Sequence, residues 1–186
     1  GSNGSCSINA TVDVAGITIY NYNGVITQNN YEVTTGLYSQ DGPYGRFTGG
    51  SQDLNVTGSF TLLGGVFTAP SQSFNLSGNF LYSGGTVEHN GGTLTFVGGN
   101  SNYSSSAIVH FNKVTINKDH LSVLTISSSL VKAYSTMTFT NGQVSGGPLR
   151  AQGNVTVGSQ YDGGTSTLQF IEQNSQYFNL AGGESN

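Results

Sequence analysis

The sequence predicts an all-β fold, a single-stranded parallel β-helix (β-solenoid) with coils of about twenty residues and an irregular N-terminal cap, from three observations. Segments repeat at a fixed spacing, apolar and polar residues alternate within each repeat, and glycines recur at equivalent places in successive repeats.

The repeat is direct. Residues 54–73 read LNVTGSFTLLGGVFTAPSQS and residues 74–93 read FNLSGNFLYSGGTVEHNGGT, and the two align without a gap. In that register Leu54, Phe74, Leu94 and Val114 form one column, and Val56, Leu76, Phe96 and Ile116 form a second. Gly58, Gly78 and Gly98 share a third, Phe60 matches Phe80, and the pair Gly64, Gly65 matches Gly84, Gly85. One unit earlier, Gly45, Arg46, Phe47 and Thr48 match Gly65, Val66, Phe67 and Thr68.

Inside each unit the period is two, the signature of half-buried strands, and the Gly, Asn and Ser between apolar pairs mark turns. A β-sandwich places successive strands in different environments, so nothing would make residues twenty apart alike. A solenoid stacks each coil on the last at about 4.8 Å, which sets like over like. The glycine columns then become corners, where positive φ or close backbone approach is required. Asn55 and Asn75 are a candidate side-chain ladder.

Taken in chain order, residues 1–40 form a cap or first irregular coil, in which Ile17 and Ile19 alternate with Thr18, Tyr20 and Tyr22. Residues 41–186 form the solenoid, and the whole is one structural domain. A cap is expected because the end of a solenoid leaves a row of unpaired backbone groups. Asn100 to Ser106 is a polar run expected to loop out of its coil. Thr136 to Thr140, Asn154 to Val157 and Thr167 to Phe170 are expected strands of later, less regular coils.

Composition excludes several functions. Charged residues are 8% of the chain, against about 25% in ordinary soluble domains, and the net charge is -4 with only five Lys and Arg. Nucleic-acid binding needs several phosphates neutralised together, so no nucleic-acid partner is expected. No apolar run approaches the roughly 18 residues of a spanning helix, so no membrane insertion is expected. Cys6 is the only cysteine, which rules out an internal disulfide; an intermolecular bridge and a buried thiol stay open, the second being favoured.

The phrases GGVFTAPSQSFNLSGNF, HNGGTLTFVGG, HFNKVTINKD and STMTFTNGQV, spread between Gly64 and Phe170, resemble the repeats of giant bacterial surface proteins of the filamentous-haemagglutinin and autotransporter-passenger type. That resemblance implies secretion, an extracellular or cell-surface location, and a role in adhesion, biofilm or surface layers. It specifies a fold far better than a task, and residues 1–40 do not share it.

Candidate chemistry is sparse. Asp41, Arg46 and Asp53 lie close in sequence beside Tyr38 and Tyr44, and β-helical polysaccharide lyases and hydrolases place such groups on one face. Asp41, Gly42, Pro43 reads more simply as a turn. His89, His110 and His120 lack metal-ligand spacing, and no Gly-x-Ser-x-Gly elbow occurs, so no catalytic, cofactor or metal residue is assigned. Tyr20, Tyr22, Tyr38 and Tyr44 are the candidate carbohydrate contacts, because planar rings flanked by Asn and Ser suit stacking on sugars. Ice binding would need ranks of Thr-x-Thr; the triplets Thr93/Thr95, Thr136/Thr138 and Thr165/Thr167 are spaced by 43 and 29 residues, which does not match the coil.

The expectation is therefore a non-catalytic structural or adhesive module of a secreted bacterial surface or filament protein. Its partners would be a second copy, end to end, or a glycan or other cell-surface ligand. The alternative is a carbohydrate-binding solenoid, followed by a polysaccharide-active enzyme and an ice-binding protein.

Overall fold

A computed structural model describes residues 4–171 and 175–181. They form an all-β solenoid of about nine turns with coils of roughly 20 residues, and every strand pair is parallel. Each coil contributes up to three short strands, which stack into three faces. Face A begins with Cys6–Ser7, Val25–Thr27, Arg46–Thr48, Val66–Thr68 and Thr86–Glu88. Face B contains Val12–Val14, Val33–Thr35, Leu54–Val56, Ser73–Leu76 and Thr93–Gly98. Face C contains Ile17–Tyr20, Tyr38–Asp41, Phe60–Leu62, Phe80–Tyr82 and Ser101–Ser105.

The repeated columns are physical stacks. Leu54 pairs with Phe74, Phe74 with Leu94 and Leu94 with Val114, while Val56, Leu76, Phe96 and Ile116 pair in the same succession. All eight side chains are buried. Alternation does this: with a period of two, one set of side chains points into the coil and the other out, and stacking gives every inward residue a like neighbour above and below. On face C the inward stack is aromatic. Tyr38, Phe60, Phe80 and Tyr103 lie nearly parallel, with successive centroids 4.9, 5.1 and 4.9 Å apart. Those separations reproduce the inter-strand distance of about 4.8 Å, and each such ring pair contributes about 0.5–1.5 kcal/mol beyond its buried area.

Outward side chains ladder too. Asn75 Nδ2 donates to Asn55 Oδ1 at 2.8 Å, and Asn55 Nδ2 donates to Glu32 Oε1 at 2.7 Å. At the B–C corner the Gly78 N–H donates to the Gly58 carbonyl at 3.0 Å, and a Cβ on Gly78 would sit 2.4 Å from that oxygen. Only glycine fits so close an approach of two backbones.

Residues 6–41 enter the same ladders: Cys6 pairs with Ile26, Val12 with Val33, and Ile17 with Tyr38. Two glutamines fill positions that an aliphatic core cannot. Gln28 is fully buried and its amide nitrogen donates to the carbonyls of Tyr31, Gln52 and Asp53. Gln40 is likewise buried, accepting from the Tyr38 hydroxyl and donating to the carbonyls of Gly45 and Val66.

The expected loop at Asn100 to Ser106 is instead a strand. Ser101–Ser105 pairs with Phe80–Tyr82 below and with Val123–Ser128 above. Its inward residues are Ser101, Tyr103 and Ser105, all buried. Phe80 and Tyr103 are 23 residues apart, so the coil has gained three residues, and they fall at the B–C corner after Phe96. The enlarged corner is filled by Lys118, only 1% exposed, whose Nζ donates to Ser101 Oγ at 3.0 Å and to the carbonyls of Ser77 and Val97. The inward serines are buried here because each has a partner, Ser101 in Lys118 and Ser105 in the Ala107 carbonyl.

Beyond residue 108 the corners straighten. Val109–Lys118 runs across faces A and B as one strand, Val131–Gly146 spans all three faces, and Asn154–Gly164 spans B and C. Register shifts after Phe111, Ile116, Phe139 and Gly142 absorb the unequal coil lengths. The expected strands in this region are present within Val131–Gly146, Asn154–Gly164 and Leu168–Phe170.

Candidate functional site

A groove of 520 Å³ lies at the C–A corner, where the chain leaves face C and begins the next coil. Its floor is backbone: Gly42, Gly64, Gly65 and Gly85, contributed by three successive coils. Gly42, Gly65 and Gly85 have φ of +96°, +73° and +85°, and a Cβ on Gly65 would lie 2.3 Å from the Gly45 carbonyl oxygen. The corner is therefore empty of side chains for a steric reason, and the groove is the result.

One wall is Asp41 and Leu63 at the end of face C; the other is Val66 and Thr86 at the start of face A. Arg46 pairs with Val66 and so borders the same wall. Tyr20 pairs with Asp41 in the neighbouring coil, extending that wall towards the hollow at the first-coil end that it also lines, and Tyr44 follows the lining residue Pro43 in the chain. These tyrosines are 67% and 68% exposed. The Gly42 N–H donates to Asp41 Oδ1 at 2.7 Å, which fixes the carboxylate beside the floor.

Of the four sequence-predicted tyrosines the structure thus brings Tyr20 and Tyr44 to one corner. Tyr38 is withdrawn from that set: it is 0% exposed, stacked on Phe60, and its hydroxyl donates to Gln40 Oε1 at 2.5 Å. Its alternation phase puts it inward, a distinction that the first forty residues hide because Tyr20 and Tyr38 lie on opposite phases. Tyr22 is half-buried, with its hydroxyl donating to the Gly4 carbonyl.

The triad Asp41, Arg46, Asp53 is not assembled. Asp53 begins face B and accepts the Ser73 N–H at 3.1 Å, one coil corner away from the groove. The one ion pair among the described residues is His120–Asp162 at 3.1 Å, with the histidine largely exposed. No group of three or more His, Cys, Asp or Glu stands ready for a metal ion among the described residues. Cys6 is exposed rather than buried, in the first strand of face A.

A second cluster lies on face A and carried no sequence signal, because its members come from three coils. His110 stacks on Tyr134 at 5.1 Å and 9°, His89 meets the same ring edge-on at 5.8 Å, and Lys132 Nζ sits 4.9 Å from its centroid. Burial, then the neighbouring Lys132 and His89, hold the His110 imidazole below its usual value.

Face B presents a polar column that the spacing of 43 had disguised. Thr34, Asn55, Asn75, Thr95, Thr115, Thr138 and Thr156 pair successively, followed by Asn179. The Thr93/Thr95 and Thr136/Thr138 triplets are thus stacked two coils apart; an extra bulged residue and a longer coil account for the mismatch with a multiple of twenty. Lys113 interrupts the neighbouring column between Thr93 and Thr136.

The two ends complete the surface. The first-coil strands Cys6–Ser7, Val12–Val14 and Ile17–Tyr20 pair on one side only among the described residues, beside a hollow of 310 Å³ that reaches buried Ile19. At the other end Phe170 and Phe178 are exposed at positions whose counterparts one coil earlier, Ala151 and Val155, are buried, and Leu180 is exposed above half-buried Val157.

No protein-family model matches the chain, and neither a curated protein nor a solved structure matches it.

Proposed function

We propose that the chain is a structural or adhesive module, a rigid rod segment of a secreted bacterial surface or filament protein. The observation that carries this reading is the stack, continuous on faces B and C and interrupted on face A only between Thr86–Glu88 and the next coil. The column that begins at Val12 runs through nine coils to Phe178, and the one that begins at Ile17 runs through seven to Gly146. At about 4.8 Å per coil the stack is about 40 Å long. Its stiffness follows from a core in which each coil is clamped between two others.

Solenoid ends add to the reading. Unpaired strand edges and uncovered core residues recruit another coil, either from the same polypeptide or from a second copy. Surface location and the adhesin class rest on the sequence resemblance, and the low charge content suits a neutral surface presented to other surfaces.

Sedimentation velocity with negative-stain electron microscopy tests the rod. The expected result is elongated species growing with concentration and lost in the Phe178→Lys, Leu180→Lys double variant. A compact monomer at every concentration would contradict end-to-end stacking.

The threonine and asparagine column on face B supports a second reading, an ordered polar face that holds water in ranks and binds ice. An ice-recrystallisation assay decides it: inhibition lost on Thr115→Lys supports the reading, and no inhibition by the parent chain removes it.

A further inference from the structure

We propose that the glycine-floored groove at the C–A corner binds a neutral polysaccharide, with Tyr44 and Tyr20 as stacking platforms and Asp41 as the acceptor of sugar hydroxyls. Four features of the corner select this class of ligand.

The first is shape. At 520 Å³ the groove falls within the range of about 300–1,000 Å³ typical of ligand sites. It is a trough laid across successive coils, so it repeats its backbone floor every coil at about 4.8 Å. A trough with a repeating floor suits an extended polymer of repeating units better than a compact small molecule.

The second is the type of surface. Pyranose rings have apolar C–H faces and polar hydroxyl rims, and they are bound where flat aromatic faces stand next to hydrogen-bonding groups. Tyr20 and Tyr44 are two of the most exposed large side chains of the molecule. Tyrosine supplies contact area with little conformational entropy to lose. Neither side chain makes a hydrogen bond to another described residue. Asp41 has one oxygen committed to the Gly42 N–H, leaving the other to accept.

The third is charge. Asp41 on one wall and Arg46, the neighbour of Val66 one coil before the other wall, carry opposite charges without pairing, since the single described ion pair lies elsewhere. An acidic polymer would meet the Asp41 carboxylate with one guanidinium to offset it, on a chain of net charge -4. A neutral chain meets no such repulsion.

The fourth concerns the other polymer that fits a trough, a peptide. An extended peptide gains its affinity by adding a strand to a free edge. The strands flanking this groove have none, because Tyr38–Asp41 and Arg46–Thr48 are each paired on both sides.

Affinity electrophoresis tests the site, using gels that contain hydroxyethylcellulose, xylan, galactomannan or dextran, with alginate as the acidic comparison. The expected result is retardation in at least one neutral gel and none in alginate. Retardation should weaken by about tenfold or more on Tyr44→Ala, the usual scale for a truncated aromatic anchor. Asp41→Asn, which keeps an acceptor for the Gly42 N–H, should weaken it less, and Tyr31→Ala, an exposed tyrosine at another corner, should leave it unchanged. Circular dichroism of each variant confirms that the fold is intact. No retardation in any neutral gel, retardation in alginate alone, or retardation insensitive to Tyr44→Ala would overturn the proposal. The outcome does not depend on whether the rod assembles end to end.

Discussion

Lys118 provides the sharpest energetic prediction. Its ammonium is enclosed at the corner between faces B and C, where the coil has gained three residues, and it bridges Ser77 in the corner of the coil before to Val97 and Ser101 in two strands. Desolvation lowers its pKa from 10.5 to about 8, with nearby Asp119 opposing the fall. Because the folded value lies below the unfolded one, the unfolded chain binds more protons between the two values, and stability must rise as pH rises through that window. Raising the pH from about 8 to about 9.5 should add roughly 1.5 kcal/mol, a figure that follows from 1.36 kcal/mol per pKa unit and the partial titration at each limit. The window stops below 10 because burial raises the phenols of Tyr38 and Tyr103, whose contribution has the opposite sign: their stabilisation fades as pH rises past the unfolded tyrosine value. Urea melts at the two pH values measure the change, with Lys118→Met as reference. The variant loses a donor to two carbonyls, so its absolute stability will differ, and the readout is the slope with pH. Wild type should gain and Lys118→Met should stay nearly flat. Equal slopes would show that Lys118 is solvated, and the account of the buried polar corner would fail with it.

Three further perturbations probe the stack by chemical denaturation. Leu76→Asp buries an unpaired charge between Val56 and Phe96 and should cost about 3–5 kcal/mol, whereas Thr57→Asp, on the exposed phase, should cost less than about 1 kcal/mol. Equal costs would mean the inward face is assigned wrongly. Gly65→Ala places a Cβ 2.3 Å from the Gly45 oxygen at a φ of +73°, and should cost at least about 2 kcal/mol; a neutral substitution would refute the corner geometry. Tyr38→Phe removes the donor to buried Gln40 Oε1 and should cost about 1–3 kcal/mol, while Tyr44→Phe, with no such partner, should cost almost nothing.

The fold was legible wherever coil length held at twenty, because constant spacing turns stacking into visible columns. Leu54 through Val114 could be aligned by eye, and the Asn55–Asn75 ladder followed. Legibility failed where coil length changed. Ser101 to Ser105 read as a loop since its inward serines carry no apolar signal; the residue that makes buried Ser101 tolerable, Lys118, is seventeen positions away. The threonine ladder was masked by a second irregularity, the longer coil between Lys113 and Thr136, as a two-coil interval of 43 resembles no multiple of twenty.

The candidate site was half legible. Tyr20 and Tyr44 could be nominated from composition, yet Tyr38 could be excluded only by knowing its phase against Phe60. The groove itself comes from glycines whose meaning is steric, and no single coil contains it. The His110–Tyr134 stack shows the same limit, since lateral neighbours in a solenoid are a full coil apart in sequence.

Nuclear Overhauser contacts between methyl-labelled Leu54, Leu94 and Val114 and the intervening ring of Phe74 test the central claim most directly. Vertical stacking predicts a chain of contacts, Leu54 to Phe74, Phe74 to Leu94 and Leu94 to Val114, together with parallel-sheet backbone contacts between Asn55 and Asn75. Antiparallel backbone contacts at these positions, or no contact between Phe74 and its two leucine neighbours, would contradict it.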